Sequence, residues 1–148
     1  MTLAEQIGAL RRTAYRLLTR RLSVRSRRPL TQLLAVKFIA MRGVRTQAEL
    51  AERLLVDAPA VSRLVDRLEE EELVKRCAGE DRRCVKLQAT DAGRVAMEAL
   101  EEATRSLDED AARILTESEL VELKRLLEKL LEGWSQVAAQ PGEGESQS

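Results

Sequence analysis

The sequence predicts a mainly α-helical chain interrupted once by a small β-hairpin. Three observations carry this. Leu, Ala, Glu and Arg dominate a 148-residue chain that is 34% charged, 44% hydrophobic and only 2% aromatic, a composition suited to long amphipathic helices with enough apolar surface for one core. Apolar residues recur three and four positions apart over most of the length. After Leu73 that spacing gives way to alternation.

Taken in order, Ala4, Ile7, Leu10, Ala14, Leu17 and Leu18 stand at helical spacing and predict an amphipathic helix over roughly the first twenty residues, ended by the polar SVRSRRP segment. Pro29 resets the chain. Thr31 is placed to cap a second helix whose Leu33, Leu34, Val36, Phe38, Ile39 and Met41 are apolar nearly all round, the pattern of a buried helix, with Gly43 as its C-terminal stop. Thr46 and Glu49 have the T-x-x-E spacing of a capping box, opening a third helix that turns Leu50, Ala51 and Leu54 to the core. The fourth helix carries Val61, Leu64, Val65 and Leu68 on one face and Pro59, Ser62 and Asp66 on the other. Then Val74, Val85 and Leu87 alternate with Lys75, Cys84 and Lys86 about an AGED turn, a two-stranded hairpin. A turn placed symmetrically between Glu80 and Asp81 sets Cys77 opposite Cys84 and Lys75 opposite Lys86. The first pair allows a disulfide in a favourable register, and the second is repulsive. A long helix resumes from a cap at Thr90 to near Leu115. Thr116 and Glu119 form a second capping box, and Leu120, Leu123, Leu127, Leu130 and Trp134 stripe the last helix. The closing QPGEGESQS has the composition of a disordered tail.

Charge is distributed unevenly. Residues 1–90 carry 19 Lys and Arg against 11 Asp and Glu, a balance of +8, and residues 91–148 carry 6 against 14, a balance of −8. No acidic residue lies between Glu5 and Glu49. A basic half of this kind attracts a polyanion, nucleic acid first among them, or else pairs with the acidic half of its own chain or of a second subunit.

Catalysis has little to work with. The sequence holds no His, no G-x-x-x-x-G-K, no G-x-G-x-x-G and no G-x-S-x-G, so neither an enzyme nor a cofactor is expected, and two cysteines do not make a four-ligand zinc site. No apolar run approaches the roughly 18 residues of a membrane span. The N-terminal segment is too rich in arginine for a signal peptide. The expected location is the cytoplasm, with reduced thiols and no membrane partner.

Two short helices joined by a turn, the second exposing small and basic residues near its N-terminus, have the form of a helix-turn-helix that enters a DNA major groove. The basic hairpin behind them makes it winged. On the fourth helix the buried stripe leaves Pro59, Ala60, Ser62, Arg63 and Arg67 available. Arg63 is the foremost candidate, long and forked enough to read a guanine edge or clamp a phosphate. Thr46 and Gln47 at the third helix and Lys75, Arg82 and Arg83 in the hairpin complete the candidate DNA contacts. The four glutamates from Glu69 to Glu72 stand at the far end of the fourth helix, where phosphate repulsion penalises reversed docking.

The segments TQAELAERL, VSRLVDRLEEEELVKR and EDRRCVKLQATDAG, with the long helix after them, resemble the MarR family of winged helix-turn-helix transcriptional regulators over about Leu30 to Leu131. The Asp81-x-Arg83 pair and the T-x-A-G helix start at Thr90 to Gly93 are its most specific match. The resemblance implies a homodimer whose terminal helices interlock, a palindromic operator in double-stranded DNA, and an arginine at Arg83 that enters the minor groove while Asp81 holds it. It also implies a small, often aromatic, anionic effector, for which this chain offers only Tyr15, Phe38 and Trp134 for stacking. Two positions depart from the family pattern. Leu55 and Glu72 stand where glycine is common, and a left-handed backbone at either costs about 1 to 2 kcal/mol.

The organisation expected is therefore an N-terminal dimerisation helix and basic linker over 1–29, a winged helix-turn-helix DNA-binding domain over 30–90, C-terminal dimerisation helices over 91–134 and a disordered tail over 135–148. Independently of the family, the stripes of Leu10 and Leu17 and of Leu120, Leu123, Leu127 and Leu130 lack a core of their own and suit a second subunit. The function expected is a sequence-specific DNA-binding regulator, a repressor released by an effector. The alternatives are an interaction or co-regulator protein on a winged-helix scaffold, and a redox-responsive regulator using Cys77 and Cys84.

Overall fold

The computed structural model describes residues 1–78 and 85–140. These residues form α1 (Leu3–Arg25), α2 (Leu30–Met41), α3 (Gln47–Leu54), α4 (Ala58–Glu70), β1 (Val74–Ala78), β2 (Val85–Ala89), α5 (Asp91–Ala96), α6 (Glu98–Ile114) and α7 (Glu117–Ala139), the mainly helical class with one antiparallel hairpin. The chain divides into two units, Met1–Leu107 and the residues from Asp108 onward. No helix among the described residues is long and apolar enough to cross a membrane.

The first unit is organised around α2. Its nearly uniform apolarity places Ala35, Val36 and Ile39 against Leu50 and Leu54 of α3, Val61, Val65 and Leu68 of α4, and Leu73, Val74 and Leu87 of the hairpin. Each large apolar side chain fully buried contributes about 1.5 to 3 kcal/mol. Leu33 of α2 joins Leu22 of α1 and Leu100 of α6 in a second cluster. The C-terminal half of α1 is thus part of the core of its own chain. Polar ties accompany it, with Lys37 Nζ 3.0 Å from Glu101 Oε1 and Arg21 donating to Ser106 Oγ at 2.9 Å.

Local signals behave mostly as predicted, with instructive exceptions. Thr116 and Glu119 close their capping box, and so do Thr2 and Glu5 at α1. In both, the carboxyl is held below its ordinary range by the threonine's backbone N–H. At α3 only half the predicted box forms. Thr46 Oγ1 accepts from Glu49 N–H, but the Glu49 carboxylate reaches one residue further back to Arg45 N–H at 2.9 Å. Thr31 does not cap α2. The helix begins at Leu30 behind Pro29, whose extended backbone points its carbonyl at the N–H groups of Gln32 and Leu33, as a residue with a fixed φ at a helix start should. Gly43 ends α2 at φ 73°. The long helix predicted from Thr90 is divided at Met97 into α5 and α6. The last helix continues past Trp134 to Ala139, so residues 135–139 are helical and not tail; Gln140 turns extended, the conformation favoured before Pro141.

Leu55 and Glu72 both adopt the left-handed backbone, at φ 57° and 60°. Each sits in a turn closed by paired hydrogen bonds. Val56 N–H donates to Ala51 and Leu55 N–H to Glu52, and Leu73 N–H donates to Leu68 and Glu72 N–H to Glu69. This is the six-to-one, five-to-two pattern that ordinarily selects glycine.

The hairpin register departs from the symmetric turn. Lys75 pairs with Gln88, Arg76 with Leu87 and Cys77 with Lys86. Cys77 therefore does not face Cys84, and Lys75 does not face Lys86. The reason lies outside the turn. Leu87 N–H donates to Arg45 O at 2.7 Å, tying β2 to the segment after α2, and Leu73 N–H donates to Leu68 O at 2.9 Å, tying the start of β1 to α4. The body of the domain thereby pins the open end of the hairpin. Just beyond, Gly93 is obligatory, since a Cβ there would fall on the Leu73 carbonyl oxygen.

The second unit is the end of α6 and α7. Among the described residues, α7 buries no side chain.

Candidate nucleic-acid interface

The recognition surface is built on α4. Asp57 caps it by accepting from Ala60 N–H at 2.8 Å, and Pro59 occupies the first turn, where a missing N–H costs nothing. With Val61, Val65 and Leu68 inside, the helix turns Pro59, Arg63 and Arg67 to the surface and leaves Ala60 and Ser62 half-buried. Arg63 and Arg67, one turn apart, make no ion pair among the described residues. Thr46 and Gln47 lie half-buried at the N-terminus of α3.

In the hairpin, Lys75, Cys77, Lys86 and Gln88 share the face away from the core. Lys75 is exposed and Cys77 half-buried. The candidate wing residues Asp81, Arg82, Arg83 and Cys84 lie outside the described residues.

Two features escape a reading by periodicity. Arg45 looks like one more basic surface residue, yet its guanidinium donates to Ile39 O at 3.0 Å and Val44 O at 3.3 Å, satisfying carbonyls at the end of α2. Arg76 is the larger omission. It sits on the inward face of β1 and donates from Nε and Nη2 to Gln47 Oε1 at 3.2 and 3.0 Å, from Nη2 to Asp66 Oδ1 at 2.8 Å and from Nη1 to Glu69 Oε1 at 3.1 Å. One side chain thereby joins α3, α4 and the hairpin. The sequence offers only a faint signal for it, an arginine that alternates in step with the core residue Val74, ten residues after Asp66 and seven after Glu69.

The glutamate run is also partly spoken for, with Glu69 on Arg76 and Glu71 on Arg28 at 2.6 Å. Behind α4, Ser26, Arg27, Arg28, Gln32, Arg67 and Glu71 border a cleft of about 410 Å³. Gln32 there is buried. Of the three aromatics, Tyr15 has the Arg11 guanidinium 4.4 Å from its ring centroid, and Phe38 has that of Arg53 at 6.0 Å.

The predicted dimerisation residues are placed as follows. Leu10, Leu123 and Leu127 are exposed, and Leu17, Leu120 and Leu130 are half-buried. In α1 the fully covered residues are instead Leu18 and Leu22.

Residues 28–83 match the model of the MarR family. The chain is similar to the HTH-type transcriptional repressor NicR of Pseudomonas putida, at 30% identity over 134 residues, covering 86% of this chain and 84% of that one. Among solved structures it resembles wild-type apo MarR from E. coli, with a TM-score of 0.75 and 28% identity over 88% of this chain and 98% of that one. It also resembles a cysteine-to-serine mutant of MarR from E. coli complexed with operator DNA, with a TM-score of 0.70 and 27% identity over 87% and 93% of the two chains.

Proposed function

The chain belongs to the MarR family, and from that membership we propose that it is a DNA-binding transcriptional repressor that holds a palindromic operator as a homodimer and releases it when a small anionic effector binds. It is a regulator and not an enzyme. The observation that carries the reading is the outer face of α4, where Arg63 and Arg67 make no ion pair among the described residues and stand over a fully buried stripe. Arg63 reads a base edge in the major groove, and Arg67 with Pro59, Ala60 and Ser62 lines the same surface. Thr46, Gln47 and Lys75 take phosphates, while Arg82 and Arg83 enter the minor groove with Asp81 holding Arg83.

The homodimer reading is supported by the stripe of α7, where Leu127 is 41% exposed and Trp134 47%. A second subunit would cover it and set two recognition helices at the spacing of a palindrome. The effector reading is supported by the arginine-lined cleft. With Tyr15 and Phe38 already under guanidinium groups, charge and hydrogen bonds rather than stacking select the effector. The redox alternative loses its cross-strand geometry, because Cys77 pairs with Lys86.

Titrations with a selected operator, a scrambled duplex and one with altered flanks, at two salt concentrations, test the DNA contacts. Arg63→Ala should cost about 1 to 3 kcal/mol on the operator and relax one symmetric pair of positions. Lys75→Ala should weaken every duplex alike and make the salt slope shallower by about one unit. Arg83→Ala should lose most where the flanking minor groove is narrow. Equal affinity of wild type and all three variants for every duplex would leave the interaction-protein reading in its place.

A further inference from the structure

We propose that Arg76 is a positioning residue for DNA binding: it locks the side-chain amide of Gln47 so that both amide N–H donors face outward to a backbone phosphate. A guanidinium has donors and no acceptor. Whatever atom of Gln47 receives Arg76 Nε at 3.2 Å and Nη2 at 3.0 Å must therefore be the carbonyl oxygen. That removes the usual two-fold ambiguity of a glutamine. The Gln47 amide nitrogen, with two N–H groups, has no partner among the described residues. It stands in the first residue of α3, beside the Thr46 cap, where free backbone N–H groups already favour an anion.

The fork of Arg76 is what makes this arrangement available. Its remaining N–H groups hold Asp66 at 2.8 Å and Glu69 at 3.1 Å, and its backbone N–H takes Glu69 Oε2 at 3.0 Å. The side chain is only 24% exposed. Held from three directions, the guanidinium does not swing, so neither does Gln47. The same pairs offset two carboxylates on the helix that carries Arg63 and Arg67. A lysine in this place keeps the charge but, as a point donor, does not span Gln47 and both carboxylates.

The inference rests on the DNA-binding reading, and a two-residue cycle keeps the two separable. Affinity for the operator and for a scrambled duplex is measured at two salt concentrations with wild type, Gln47→Ala, Arg76→Lys and the double variant. Gln47→Ala should weaken every duplex by about tenfold or more, the worth of a hydrogen bond to a charged acceptor, and leave the salt slope unchanged because the protein loses no charge. Arg76→Lys should lose about as much. The double variant should bind no more weakly than Gln47→Ala, because Arg76 acts through Gln47. Losses that multiply in the double variant, or Arg76→Lys binding as wild type, would overturn the proposal. Wild type binding neither duplex would instead sink the DNA-binding reading. Should Arg76→Lys fail to fold, the wild-type chain still decides: the Gln47 side-chain NH2 resonances, assigned by their loss in Gln47→Ala, should shift on adding duplex, and unmoved resonances would overturn it.

Discussion

Helices α4 and α7 are written with much the same residues, Leu and Val at helical spacing among Glu, Arg and Lys, and they end in opposite states. In α4, Val61, Val65 and Leu68 are at most 1% exposed; in α7 nothing is buried, and Leu131 stays 69% exposed. The stripe of α4 is covered by α2, α3 and the hairpin of its own chain. An amphipathic period states that a face is to be covered and is silent on what covers it. Helix α1 shows both outcomes along one element, with Leu22 buried and Leu10 exposed.

The contrast is best broken from the α4 side first. Leu68→Ala should lower unfolding stability by about 2 to 5 kcal/mol, the cost of a cavity in a dry core, and the loss should be independent of protein concentration in denaturant titrations. The corresponding change on the other helix, Leu127→Glu, should act on assembly instead. It should weaken the proposed homodimer by about 2 kcal/mol or more, seen in sedimentation equilibrium as a shift toward the 16.6 kDa monomer. A wild-type chain that is monomeric at micromolar concentration would rule out a second subunit as the cover of the α7 stripe. Within the first unit, Gly93→Ala should cost about 1 to 3 kcal/mol by overpacking against the Leu73 carbonyl, measured by thermal melting. The smallest expected effect has the opposite sign. Leu55→Gly relieves about 1 to 2 kcal/mol of left-handed strain against about 0.4 to 1 kcal/mol of unfolded-chain entropy, and should raise stability by about 0.5 to 1 kcal/mol. A neutral or destabilising result would show that exposed Leu55 makes a contribution its backbone conceals.

Much of the candidate interface could be read along the chain. Arg63 and Arg67 follow directly from subtracting the buried stripe of α4, and the caps at Thr90 and Thr116 act within three residues of themselves. The misreadings share a cause. Thr31 was displaced as a cap by Pro29 two residues earlier, and Glu49 left Thr46 for Arg45; in each case two local solutions of similar energy compete, and packing chooses. Arg76 was invisible as a hub because Gln47 is 29 residues away.

By itself the sequence determined the number and order of helices up to the break at Met97 and the stripe each presents, since these depend on apolar spacing and on hydrogen bonds that close within a few residues; the left-handed backbone at Leu55 and Glu72 was signalled only by the resemblance, because the dihedral preference of neither residue favours it. Only the tertiary structure decided the hairpin register, the covering of half of α1, and the amide orientation of Gln47. Each of these is settled by a group distant in sequence, the Arg45 carbonyl for β2, Leu33 and Leu100 for Leu22, and the Arg76 guanidinium for Gln47. A strand sliding by two residues keeps every side chain on its original face, so alternation could not choose between the two registers, and the two hydrogen bonds from the domain body did.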